Sequence, residues 1–199
     1  CLQAPAASIG EVSGRSRGMA QSEVFTTEKG EELLTLVAPP PPQPVHDDLL
    51  SDAAADAPPP IMLVTELGIV KRVTVEEITG TANGKSLINL KPGDRVVAAF
   101  PAPDGVDVIL VASNAQGMRC EAAAVPVQGR GAAGVTGMKL ADGARVVSAG
   151  PVTGEDCVVL TVTDRQTAKV TDAAELPTKG RGTAGLRLTK FRDERAVDF

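Results

Sequence analysis

The segment Val127-Gln128-Gly129-Arg130-Gly131-Ala132-Ala133-Gly134-Val135 returns fifty-one residues later as Thr178-Lys179-Gly180-Arg181-Gly182-Thr183-Ala184-Gly185-Leu186. Three glycines and one arginine keep their spacing. Such a segment has a backbone free to take positive φ, and it carries one cation. Apolar residues with β preference follow both copies: Val135, Met138 and Leu140 in one, Leu186 and Leu188 in the other. A recurrence near fifty residues is the period of a propeller blade or solenoid unit, and it constrains the fold more than any single motif does.

Each unit opens with a short apolar strand: Ile61–Val64, Val108–Val111 and Val158–Thr161, spaced by 47 and then 50 residues. A tight turn and a second strand ending in a cation complete a hairpin. Counted from Leu63, Leu110 and Leu160, that cation is Arg72, Arg119 and Lys169. The Gly-rich turn comes next, where Gly84, Gly134 and Gly185 correspond. A further turn and strand close the unit, as Lys91-Pro92-Gly93-Asp94-Arg95-Val96-Val97 and Ala141-Asp142-Gly143-Ala144-Arg145-Val146-Val147. A fainter copy without its hairpin runs from Ser13-Gly14-Arg15-Ser16-Arg17-Gly18 to Glu28-Lys29-Gly30-Glu31-Glu32-Leu33-Leu34. The expected fold is all-β, with about four visible units of which the first and last are incomplete.

Three kinds of motif in a fixed order carry a resemblance. Leu67-Gly68-Ile69-Val70-Lys71-Arg72, Gly129 to Val135 and Leu90 to Val97 resemble the repeated parts of one domain in the DNA gyrase and topoisomerase IV family. That domain is the C-terminal domain of the A subunit in bacterial type IIA topoisomerases. The resemblance covers most of residues 9–38 and 61–190. It implies a β-pinwheel, a propeller-like ring of four-stranded antiparallel blades in which neighbours exchange a strand. Radial repetition suits units that cannot bury both faces alone. The resemblance also implies double-stranded DNA as a partner, with the A-subunit dimer and the B subunit in the full enzyme. ATP and Mg²⁺ would serve the whole enzyme, this segment would need no cofactor, and the location would be the cytoplasm, at the nucleoid.

The family's gyrase members carry a Gln-Arg-Arg-Gly-Gly-Lys-Gly box in the first blade, tied to DNA wrapping; residues 1–199 do not contain it, which leaves a place upstream of Cys1 open. Gln128 to Gly134 keeps its outline without the second arginine or the lysine. The run Gly84-Lys85-Ser86-Leu87-Ile88-Asn89-Leu90 is closer to topoisomerase IV, so the resemblance favours a domain that chooses and holds DNA over one that drives supercoiling.

Charge is unevenly spread. Of a net −5, residues 1–60 hold three Lys/Arg against nine Asp/Glu, and residues 61–190 hold fifteen against thirteen. The repeats are mildly basic, which leaves room for a basic rim. Residues 39–60, rich in Pro, Ala and Asp, have too few apolar side chains to fold and are expected to be a disordered insertion within one domain spanning 1–199. His46, the one histidine, lies there without a ligand cluster. Cys1, Cys120 and Cys157 lack ligand spacing and are expected to be reduced thiols. No apolar run reaches membrane-spanning length.

Catalytic chemistry has little to stand on. The family cleaves DNA through a tyrosine, and this chain has no tyrosine. Gly84-Lys85-Ser86 ends like a nucleotide-binding loop but has Thr79 where the first glycine belongs. What remains is a set of repeated cations able to follow a bent duplex through its phosphates without reading bases. The expected DNA-binding residues are Arg72, Arg119 and Lys169 at the hairpin position, Arg130 and Arg181 in the Gly loops, Arg15 and Arg17 in the faint first copy, and Lys71, Lys85 and Lys179 beside them. A propeller-like scaffold that binds protein and not DNA is the competing expectation.

Overall fold

Strand β1 (Ile61–Thr65) is buried along its whole length, so both of its faces must meet protein. Apolar and β-branched residues fill it without alternation, the pattern of a strand packed on two sides. It pairs antiparallel with β2 (Ile69–Val73), Leu63 opposite Lys71 and Met62 opposite Arg72. On its other side lies β3 (Val96–Pro101), with a register shift between Val64 and Thr65. The second unit repeats this plan: β4 (Asp107–Ala112) pairs with β5 (Gln116–Glu121) and with β7 (Val146–Pro151), shifting register between Val111 and Ala112. The third unit contributes the hairpin of β8 (Val158–Val162) and β9 (Ala168–Asp172). These are the strands expected from the repeat. The structure is a computed structural model that describes residues 1–38, 57–79, 84–190 and 196; the expected insertion lies almost wholly outside them, as does His46.

The fourth strand of each complete sheet comes from the following unit. β6 (Val135–Thr136), just after the second unit's Gly loop, pairs with β2, giving the order β3-β1-β2-β6. β10 (Leu186–Arg187), after the third unit's Gly loop, pairs with β5 in the same register and gives β10-β5-β4-β7. Sheets touch through β3 and β7, which places those strands innermost and β6 and β10 at the outer edge. The third sheet holds β8 and β9, with Ala196 bridging Thr163 where Val96 and Val146 meet Thr65 and Ala112.

Glycine is required where the outer strand arrives. Gly134 has φ +86°, and a side chain there would meet Ile69 Cγ2 at 2.7 Å and the Val70 carbonyl at 2.8 Å. Gly185, with φ +75°, would run into the Gly117 backbone in the same way. The hairpin turns share one left-handed position, filled by Gly68 at φ +78°, Ala115 at +60° and Gln166 at +63°.

The faint first copy forms no sheet. Residues 1–38 contain a 3-10 turn at Ala6–Ser8 and a single helical turn at Gln21–Val24, with no strand, and Leu33 and Leu34 lie about half exposed. A Gly-rich part pairs onto the hairpin of the unit before it, and residues 1–38 hold no such hairpin. The main core lies between the first two sheets, built on Met62, Val64, Phe100, Leu110, Met118 and Met138. Each such fully buried side chain contributes about 1.5–3 kcal/mol.

Candidate nucleic-acid interface

Arg72 and Arg119 fasten one unit to the next. Arg72 Nε donates to the Val125 carbonyl at 2.7 Å, and its Nη1 donates to Ala102 O at 3.2 Å and to Asp104 at 2.6 Å. Arg119 Nε donates to Asp107 at 2.6 Å and Nη1 to the Ala173 carbonyl at 3.0 Å. Val125 and Ala173 belong to or follow the 3-10 turns of the succeeding units, Ala122–Ala124 and Ala173–Glu175. The backbone repeats the link, since Gln128 N donates to Arg72 O and Lys179 N to Arg119 O, each at 2.9 Å. Arg72 has a side chain 6% exposed and Arg119 one 21% exposed. The Arg72 guanidinium is consumed inside the protein and withdrawn from any surface a duplex could reach, while Arg119 stays partly exposed.

Lys71 is also withdrawn. It is fully buried, and its Nζ donates to four carbonyls: Leu87 and Gly129 at 2.7 Å, Arg130 and Ala132 at 3.0 Å. An ammonium has three N–H donors, so four acceptors saturate it. Burial pushes its pKa below 10.5, and the carboxylate of Glu77 pulls it back up. Alternation explains the burial: Lys71 and Arg72 sit on opposite faces of β2, and both faces are covered.

Lys169 does not share the position of Arg72 and Arg119. Measured from the left-handed turn residue, Lys71, Met118 and Lys169 each stand three residues on, opposite Leu63, Leu110 and Thr161. Arg72, Arg119 and Val170 stand four residues on. The expected alignment is therefore one residue out in the third unit, and Lys169 points to the Lys71 side. Its Nζ donates to Leu188 O at 2.6 Å, the counterpart of Leu87 O at Lys71.

The Gly-loop arginines keep their correspondence and stay accessible. Arg130 Nε meets Glu77 at 3.1 Å across the preceding unit's helical turn, Val75–Ile78. Arg181 Nε meets Ala124 O at 3.0 Å and its Nη1 meets Thr136 O at 3.2 Å. Lys179 is exposed beside Arg181. Lys85 is half-buried, and its carbonyl accepts from the amino group of Cys1 at 2.9 Å. Arg15 and Arg17 are exposed on a segment that carries no blade.

Two further cation pairs lie outside the set expected from the sequence. Lys139 and Lys190 each lie five residues beyond a loop glycine, Gly134 and Gly185, are exposed, and make no ion pair among the described residues. Lys139 N bonds the Thr183 carbonyl at 3.0 Å, which sets it against the loop of Arg181. Arg95 and Arg145 occupy the closing turns at the other end of the strands, with Glu66 between them at 3.6 and 3.5 Å. Both pairs were visible as constant offsets within the repeat.

The chain matches the sequence profile described as DNA gyrase C-terminal domain, beta-propeller, over residues 59–103, 107–153 and 158–196. Those three intervals are the three structural units. The chain belongs to this gyrase C-terminal domain family. Within the family it is 34% identical over 130 residues to the DNA gyrase A subunit of Deinococcus deserti, covering 63% of this chain and 16% of that protein. It is 34% identical over 134 residues to the DNA gyrase A subunit of Salmonella typhimurium, covering 67% of this chain and 15% of that one. The chain thus spans about a sixth of the length of these curated relatives. Among solved structures it is similar to the C-terminal domain of DNA topoisomerase IV, with TM-score 0.64 and 27% identity over 69% of this chain and 44% of that one. The fold is also that of the C-terminal domain of E. coli ParC, with TM-score 0.58 and 15% identity over 70% of this chain and 60% of that one.

Proposed function

We propose that this gyrase C-terminal domain holds and bends duplex DNA for the A subunit of an ATP-dependent type II topoisomerase. The observation that carries the reading is the accessible set of cations at repeated positions along one outer edge: Arg130 and Arg181, with Lys139, Lys179 and Lys190 beside them. Phosphates recur along a duplex, so cations repeated around a curved edge suit a bent backbone and need no base contact. Lys85, Arg15 and Arg17 add accessible charge, and Lys169 and Arg119 add what their exposure allows. Arg72 and Lys71 serve from within, by holding the units and loops that carry the others.

The likeness to the topoisomerase IV domain favours a role in choosing and holding DNA; the curated sequence relatives named gyrase pull the other way. Strand cleavage and ATP hydrolysis, with Mg²⁺, would belong to the rest of an enzyme built on an A-subunit dimer with the B subunit, working at the nucleoid in the cytoplasm. The test is duplex binding by this chain across salt. Affinity falling by orders of magnitude between about 50 and 200 mM salt is expected if several phosphates are neutralised. No complex at low salt would defeat the reading and leave a protein-binding scaffold.

A further inference from the structure

Lys71 does more than fill space beneath the second unit's Gly loop. Its ammonium gathers the carbonyls of Gly129, Arg130 and Ala132, and a trans peptide group points its N–H opposite to its C=O. No peptide in the described chain is cis. The N–H groups of Arg130, Gly131 and Ala133 are therefore turned away from the buried ammonium, toward the side where Gly131 and Ala133 are exposed. None of the three donates to an acceptor among the described residues. Ala132 N, by contrast, is used within the loop, on Gly129 O at 3.1 Å.

Successive outward N–H groups beside a cation form an anion-binding concavity. The third unit's loop supplies the comparison. Beneath it Met118 stands in the Lys71 position, yet β10 still pairs with β5 as β6 pairs with β2. The sheet is thus built without the ammonium, and what Lys71 adds is the orientation of the loop. Glu77 holds Arg130 Nε and leaves the rest of that guanidinium toward solvent.

We propose that the Gly129–Gly134 loop is a phosphate site, with the N–H groups of Arg130, Gly131 and Ala133 and the Arg130 side chain as donors and Lys71 as the positioning residue behind them. Its ligand is a backbone phosphate of duplex DNA, so this inference rests on the DNA-binding reading. It predicts that the two Gly loops are unequal, the second unit's loop gripping a phosphate through backbone and side chain and the third unit's through side chain alone.

The test is a titration of the ¹⁵N-labelled full chain, reading backbone amide signals against a short duplex at low salt and, separately, against inorganic phosphate. Duplex should shift the amides of Arg130, Gly131 and Ala133 more than those of Arg181, Gly182 and Ala184. Equal shifts with inorganic phosphate at the same concentration would overturn DNA as the ligand. Shifts at 181–184 without shifts at 130–133 would overturn the site and leave DNA binding standing. No shift anywhere would overturn DNA binding itself. Lys71→Met, which copies the second unit's residue, should abolish the duplex-induced shifts at 130–133 and spare those at 181–184. In that background Arg130→Ala should still weaken duplex binding, as Arg181→Ala does in the wild type, because the side chain then grips alone. Persistence of the duplex-induced shifts at 130–133 in Lys71→Met would remove Lys71 from the site, and the wild-type titration stands whether or not the variant folds.

Discussion

Lys71 and Lys169 each donate Nζ to the carbonyl three residues past a loop glycine, Leu87 at 2.7 Å and Leu188 at 2.6 Å. Lys71 takes three further carbonyls from the Gly loop of the next unit, and Lys169 meets no such loop among the described residues. The same residue in the same register is thus wholly enclosed in one sheet and exposed in another. Enclosure depends on the neighbour, and the stability and binding consequences of each cation follow from that.

Arg72 should be a stability residue. Replacing it with Met leaves the Val125 and Ala102 carbonyls without their donor, and a buried polar group left unpaired costs about 1–3 kcal/mol. Asp104 is exposed, so the loss of its ion pair adds little. Urea unfolding of Arg72→Met beside Arg130→Ala measures the contrast; the latter should lose less than about 1 kcal/mol. Equal losses would contradict the staple.

Arg130 and Arg181 should be binding residues. Changing both to Ala is expected to weaken duplex binding and make the salt dependence shallower by about two phosphates' worth. Lys29→Ala with Lys91→Ala, exposed and outside the loops, removes the same charge. A matching loss in that control would make net charge the cause and the outer edge irrelevant.

Gly68 should resist substitution where Gly93 tolerates it. Both have positive φ, +78° and +77°, so Ala carries a backbone cost of about 1–2 kcal/mol at either. At Gly68 the new methyl also meets the Met138 carbonyl at 2.7 Å, whereas nothing lies within 4 Å at Gly93. Thermal unfolding should therefore separate Gly68→Ala from Gly93→Ala, and coincident midpoints would refute the close approach of Met138 to the hairpin turn.

Cys120 should be inert. Burial, aided by the Asp107 carboxylate, pushes its thiol from 9.0 up to about 11. The folded chain keeps this proton at pH values where the unfolded chain has lost it, so the contribution is full below about pH 9 and disappears as pH rises toward 11. At pH 8 its thiolate fraction should be roughly a hundredfold below that of an ordinary thiol. Mass spectrometry after iodoacetamide treatment should find Cys1 alkylated first and Cys120 last.

The repeat, the three hairpins and the Gly loops were legible because each has a local cause. Apolar runs make the strands, and glycines mark backbone that only glycine fits, as at Gly134 and Gly185. The burial of Lys71 and Arg72 was not legible, since a charged pair at the end of a strand reads as solvent-facing until the next unit's loop is laid across it. The third unit's register was hidden for a different reason. Val158-Val159-Leu160 is apolar without alternation, and Gln166 fills the turn position that Gly68 marks in the first unit. An offset counted from the strand therefore slipped by one residue, which on a strand exchanges faces.

Because β6 and β10 leave their own unit to complete the one before, the joints of this domain do not coincide with its covalent connections. A nick at Asp104–Gly105, between β3 and β4, would leave the two halves clasped through the loan of β6 to β2. Beyond Gly185, where β10 completes the second sheet, a nick would instead detach a strand from a sheet whose other members lie upstream. Wear on such a chain is thus uneven: cuts between consecutive units are borne, and cuts inside the shared Gly loops undo two units at once.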